Sequence, residues 1–198
     1  MSIYNVLMKK LIGLCGVARC GKDTFFNLAK QYIENKSNIV CTKVSFAECL
    51  RQEINETLIQ NFNISAWTEN TNEKEQIRDL LVAWSKTRRH QDCNYWVNKI
   101  KINEDSINII TDVRYKNEVD FIHKNNGIVI YIQRKITNNE HAVVQACNDE
   151  ERVHTVPLQQ LCDEIVTWGD LSTHYSECIN LVSNVLDGLV YTHPPLSV

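Results

Sequence analysis

Residues 11–24 read LIGLCGVARCGKDT, and this stretch decides the fold. Leu11 to Cys15 is an apolar run of strand length, and apolar residues recur at helical spacing from Lys22 to Ile33. Between them lies Gly16-x4-Gly21-Lys22, so the chain is expected to pass from a buried strand through a tight loop into a helix. Glycine at 16 and 21 permits the dihedrals and close approach that turn the backbone amides of Gly16, Val17, Ala18, Arg19, Cys20 and Gly21 toward one anion. The helix adds its positive end, and Lys22 would reach the β- and γ-phosphates of ATP. The motif normally sets a hydroxyl directly after the lysine to help hold magnesium. Here Asp23 stands in that place and the hydroxyl arrives at Thr24, so both are candidate magnesium ligands. A glycine-bearing turn that merely precedes a lysine is the plainer alternative, and the flanking strand and helix count against it.

Outward from this unit, Ile39 to Phe46 reads as a second strand. Ala47 to Phe62 and Glu73 to Thr87 carry apolar residues at helical spacing, and Asp92 to Ile102 continues as a third helix. Ile107 to Ile110 is a short strand, Tyr115 to Lys124 a helix, and Gly127 to Ile132 a β-branched strand. The segment 134–157 is polar and without sustained period, which predicts a mobile loop or lid. Glu164 to Trp168 reads as a last strand and Leu171 to Leu186 as a helix, before a tail bearing Pro194 and Pro195. Strands alternating with helices predict an α/β fold with a parallel sheet of about five strands flanked by helices, and the Gly16–Thr24 loop makes the P-loop NTPase three-layer sandwich the expected form. One domain over 1–198 is expected.

Composition narrows the function classes. The chain has 198 residues, 43% hydrophobic, enough for one real core, and its net charge of -3 argues against a stable nucleic-acid partner. Its eight cysteines never fall two or three apart, so they read as reduced thiols rather than zinc ligands or a CxxC pair. The start is too short in apolar residues for a signal peptide, and no run of about 18 apolar residues exists to cross a membrane. A cytoplasmic location is expected, with monomer and homodimer both open.

A second group of residues converges on anion chemistry. Ile107 to Asp112 is an apolar run ending in a carboxylate, which sets Asp112 at the carboxyl edge of a parallel strand, able to hold magnesium through water. The alternative is that Thr111 or Asp112 caps the next helix. Arg88 and Arg89, in SKTRRH, fall where one helix gives way to another, and guanidinium suits bidentate phosphate contacts. A solvated charge run is the competing account, and Arg114, just beyond Asp112, favours a shared anion site. Trp84 and Trp96 read as core before base-stacking residues, although Trp96 is kept as a substrate-binding candidate. His141 and His154 read as surface residues.

Four stretches then show a resemblance: GVARCGKDT at Gly16, SFAECLRQEI at Ser45, the span IRDLL, TRR and YWVN from Ile77 to Asn98, and TDVRYKNEVDFI at Thr111. In this order they resemble the bacteriophage deoxynucleoside monophosphate kinases of the P-loop nucleoside and nucleotide kinase group, from Leu11 to about Arg134. The GKD form of the loop is itself similar to these enzymes. The resemblance implies a nucleotide-kinase-like fold with a helical acceptor-binding insertion over about 46–105 and a lid over about 134–157. It implies that Arg51 and Arg78 lie near the acceptor, and that Asp112, Arg114, Asn117 and Glu118 line the same cleft. Arg134 becomes a candidate for the donor nucleotide, while the lid pattern is only echoed in His141-Ala142-Val143. The implied reaction moves the γ-phosphoryl of ATP, with magnesium, to a (deoxy)nucleoside 5'-monophosphate for deoxynucleotide supply in the host cytoplasm. Lys22, Arg88, Arg89 and Arg114 would neutralise the charge. Two rivals stay open. One is a P-loop kinase of another small metabolite or a modified DNA base, with Asp23 or Asp112 as base; the other is a nucleotide-binding sensor without turnover.

Overall fold

The structure is a computed structural model and describes residues 7–136, 139–169, 175–189 and 191–192. It divides into two units, Met1–Lys43 with Ile102–Val198, and Val44–Lys101.

The first unit is an α/β layer structure. Its sheet contains β2 (Leu11–Cys15), β3 (Cys41–Val44), β4 (Ile107–Val113), β5 (Ile128–Ile136), β6 (Asn139–Val143) and β7 (Glu164–Trp168). The order is β3-β4-β2-β5, with β7 and β6 both pairing with β5. β2 runs parallel to β4 and β5, with Ile12 opposite Ile109 and Leu14 opposite Ile130. β7 is parallel to β5 over Ile130–Arg134, whereas β6 pairs antiparallel with the end of β5 at Lys135 and Ile136. All of β2 and the first five residues of both β4 and β5 are buried, as expected of strands covered on both faces.

Helices cover those faces. Ile12, Leu14, Ile109, Ile130 and Ile132 pack with Phe25 and Ile33 of α1 (Lys22–Ser37). The same core takes in Cys178, Val182 and Leu186 of the C-terminal helix Tyr175–Leu189. On the other face, a helix over Lys116–Lys124 sits so close that a Cβ on Gly13 would lie 2.5 Å from Ile122 Cδ1. α1 ends where Asn38 takes the left-handed conformation (φ 56°) and its amide bonds Glu34 O. A short antiparallel pair, β1 (Leu7–Met8) and β8 (Tyr191–Thr192), was not foreseen.

Several boundaries differ from the sequence reading. β4 continues past Ile110 to Val113, because Thr111 and Val113 are β-branched and buried on the strand. The described part of segment 134–157 is built rather than looped. β5 runs into it as far as Ile136, β6 follows, and Glu151–Thr155 forms a π-helical turn that continues into a 3-10 turn at Val156–Leu161. Among the described residues the sheet therefore has six strands, the additional one being β6. Residues 171–174 and Pro194–Pro195 lie outside the described residues.

The second unit is helical: α2 (Phe46–Phe62), α3 (Thr71–Gln91) and α4 (Tyr95–Lys99). Ser45 caps α2 by accepting the Glu48 amide at 3.3 Å, and the Asn70 side chain caps α3 through the Asn72 and Glu73 amides. Arg88 and Arg89 thus lie within the last turn of a longer helix than expected, where cations suit the helix dipole. α4 is shorter than the expected 92–102, because Asp92 and Ile100 are both extended. Ile54, Leu58, Ile64, Ala66 and Ile77 form the core, with Trp84 against it.

A carboxylate organises this unit. Glu53, with a side chain only 12% exposed, accepts from Arg88 Nε (2.7 Å), Trp84 Nε1 (2.9 Å), Tyr95 OH (2.6 Å) and Lys99 Nζ (2.7 Å). Burial pushes its carboxyl up, but the bonds from Lys99, Tyr95, Trp84 and Arg88 together outweigh burial and hold it at about 2. A carboxyl lowered in this way contributes stability above the ordinary carboxylate range, and that contribution is lost as pH falls from about 5 toward about 2. Glu53→Gln should therefore lower unfolding stability at pH 7 by roughly 2 kcal/mol and flatten its decline in acid. Urea titrations at pH 7 and pH 3 measure both effects; a variant declining in parallel with the wild type would remove Glu53 as the cause.

Candidate phosphate-binding site

Gly16 and Gly21 bracket the loop between β2 and α1 at φ 137° and 103°, conformations that only glycine adopts without strain. A Cβ on Gly16 would lie 2.3 Å from Ile132 O, and one on Gly21 would lie 2.6 Å from the Trp168 ring. Lys22 Nζ donates to the carbonyls of Gly16 and Val17, both at 2.8 Å, and lies 3.7 Å from Cys20 Sγ. The ammonium is thus held over the loop, with the first turn of α1 directly behind it. Burial pushes the Cys20 thiol up, more than Lys22 pulls it down, so Cys20 stays protonated and packs rather than reacts. None of the eight cysteines is joined in a disulfide.

Two distant side chains grip the loop. Trp168 Nε1 donates to Cys20 O at 2.8 Å, and Glu151 Oε1 accepts from the Ala18 amide at 2.9 Å. Glu151, with a side chain 3% exposed, also accepts the Cys147 amide at 3.2 Å through Oε2, and Arg114 Nη1 stands 3.9 Å from Oε1.

The end of β4 supplies the second edge. Val113 pairs with Cys15, so Asp112 lies level with the start of the loop. The N-cap position of the following helix, Lys116–Lys124, is occupied by Tyr115 rather than by Thr111 or Asp112. Glu118, buried at the first turn, accepts the amides of Arg114 (2.7 Å) and Tyr115 (3.1 Å) through Oε2. Its carboxylate fixes the turn that presents Arg114, and Asn117 lies on the same first turn. Tyr115 donates to Glu150 and faces the His154 ring at 5.0 Å. Arg134, half-buried on β5, lies opposite Trp168. The side chain of His141 lies outside the described residues.

Asp23 and Thr24 diverge. The Asp23 carboxylate pairs with Lys43 Nζ at 2.8 Å and is largely exposed, whereas Thr24 is half-buried on the first turn of α1. Among the described residues no group of three or more His, Cys, Asp or Glu side chains could cage a metal. Hydroxyl and carboxylate are hard oxygen donors, so Thr24 and Asp112 fit a magnesium that arrives with nucleotide phosphates and keeps part of its water.

In the helical unit, Arg88 is engaged by Glu53 and Gln91 and lies over the Trp84 and Tyr95 rings at 5.3 and 5.1 Å. Arg89 donates to Ser85 Oγ. Trp96 is buried, donates to Ser85 O at 3.3 Å and meets Tyr95 edge-on. Arg51 and Arg78 are exposed near Glu48 and Glu75, at 4.0 and 3.9 Å. Sequence reasoning singled out neither Glu151, Trp168, Lys43 nor Glu53. Trp168, the last residue of an expected strand, carried the only usable signal.

The family model described as phosphomevalonate kinase matches residues 14–127, more than half of the chain. No curated protein matches it. Among solved structures, a candidate kinase from Chloroflexus aurantiacus J-10-fl is 10% identical, covering 92% of this chain and 99% of its own, with a TM-score of 0.43. An unliganded sugar kinase from Janibacter sp. HTCC2649 is 10% identical, with 90% and 95% covered and a TM-score of 0.36.

Gly21→Ala should weaken ATP binding roughly tenfold or more, because a strained φ and the indole both resist the methyl group. Gly188→Ala, with nothing within 4 Å, should leave it unchanged. Calorimetric titration of both variants with ATP compares them; equal affinities would show that the loop tolerates a side chain.

Proposed function

The chain belongs to the phosphomevalonate kinase family, and on that premise we propose that it transfers the γ-phosphoryl of ATP to the phosphate of a (deoxy)nucleoside 5'-monophosphate, giving the diphosphate. The loop carries this reading: two left-handed glycines, an ammonium held over the loop carbonyls and a helix N-terminus directly behind them. The acceptor rests on the four stretches that resemble the phage enzymes.

An acceptor phosphate is already an anionic nucleophile, so no protein base is needed. Catalysis then rests on alignment and on neutralising the transferred group. Lys22 swings from the carbonyls of Gly16 and Val17 to the donor phosphates, and Arg114 adds a guanidinium from the neighbouring strand end. Thr24 and Asp112 would hold magnesium, which supplies charge neutralisation at the phosphates when bound. The same reading gives Arg51, Arg78, Arg88, Arg89 and Trp96 to the acceptor side and Arg134 to the donor. A hydroxyl acceptor would require a base, for which Asp112 remains a candidate while Asp23 is engaged by Lys43.

The family match favours a second acceptor, phosphomevalonate, whose nucleophile is also a phosphate monoester. ATP and magnesium with each deoxynucleoside and ribonucleoside monophosphate, and separately with phosphomevalonate, should yield a new diphosphate from some of the monophosphates by chromatography. Lys22→Ala should reduce the rate roughly a hundredfold or more. Conversion of phosphomevalonate alone would replace the first acceptor with the second. Conversion of none, with ATP bound, would overturn both and leave a kinase of another small metabolite or a modified DNA base, or a nucleotide-binding sensor.

A further inference from the structure

We propose that Glu151 and Trp168 are positioning residues of the phosphate loop, clamping it from outside on either side of its most strained residue. Arg19 sits at φ 62°, a left-handed conformation that an arginine keeps only where its surroundings over-determine it. The two grips fall on its immediate neighbours. Glu151 Oε1 takes the Ala18 amide at 2.9 Å, and Trp168 Nε1 gives to Cys20 O at 2.8 Å.

Each grip is itself firmly held. Glu151 is 2% exposed, its second oxygen accepts the Cys147 amide, and its own amide donates to Asn148 Oδ1 at 2.9 Å. Trp168 is 3% exposed, its ring fills the place of a Gly21 side chain, and it lies 6.0 Å from the Phe25 ring. Glu151 draws the Ala18 amide out of the set that can face an anion, and Trp168 fixes the peptide ahead of Gly21. Between them they set which amides of the loop point at a phosphate. Both residues lie beyond the family match, which ends at residue 127, so this clamp comes from the C-terminal part of the chain rather than from the matched stretch.

The inference rests on the kinase reading, and its test separates the two. Trp168→Phe keeps an aromatic ring, smaller than the indole, and removes the donor; Glu151→Ala removes the acceptor, and Glu151→Gln keeps an oxygen for the Ala18 amide. Calorimetric ATP titrations and steady-state kinetics should show Trp168→Phe and Glu151→Ala raising the Kd for ATP roughly tenfold, with the acceptor KM unchanged and Glu151→Gln recovering most of the loss. Because both act through one loop, the effect of Trp168→Phe with Glu151→Ala should be smaller than the product of the single effects. Leu158→Ala empties a buried site in the 3-10 turn that follows Glu151–Thr155 and should lower the melting temperature while ATP affinity holds. ATP affinity that falls as far in Leu158→Ala as in Glu151→Ala, or that stays unchanged in both clamp variants, overturns the clamp. Wild-type protein that binds no ATP overturns the kinase reading instead.

Discussion

The loop from Gly16 to Gly21 must turn a fully buried strand into a helix while holding its own carbonyls around one ammonium, and much of the first unit follows from that constraint. Of the three positive φ angles in this short stretch, that of Arg19 is unfavourable unless neighbours hold it. β5 supplies Ile132 O against Gly16, and β7 supplies the indole against Gly21, so these two strands serve as walls of the loop as well as parts of the sheet. The parallel register that sets Cys15 beside Val113 brings the acidic end of β4 to the same edge. This is the edge where ligands meet open parallel sheets.

The helical unit solves a different problem with a single carboxylate. Four donors from α3, α4 and their indole and phenol rings meet on Glu53, and their combined pull outweighs the penalty of burial. Arg88 is thereby fixed in direction by Glu53, Gln91 and two aromatic faces. An arginine held this way has already lost much of its rotamer freedom.

Much of this architecture was legible in the sequence, and the limits have a physical pattern. Leu11 to Cys15 and Glu164 to Trp168 were readable as strands because their residues suit burial in a sheet over a short range. Helix ends were read less well where side chains decide them. Asn70 extends α3 forward, and Glu118, three residues past Tyr115, takes up the amides of Arg114 and Tyr115 at the start of the following helix. Segment 134–157 lacked a period because its order comes from β5–β6 pairing and consecutive π and 3-10 turns, which repeat on no simple face. The grips on the loop were invisible, since Glu151 lies 133 residues from Ala18 and Trp168 lies 148 from Cys20.

Charge at the loop follows one more rule. Two carboxylates, Asp23 and Glu151, stand against the loop. Each carries a cation: Lys43 lies 2.8 Å from Asp23, and Arg114 lies 3.9 Å from Glu151. The Asp23 pair is exposed, so its contribution to stability is small. Its consequence is electrostatic. With Asp23 answered by Lys43, the carboxylate that replaces the usual hydroxyl does not set an uncompensated negative charge beside the loop.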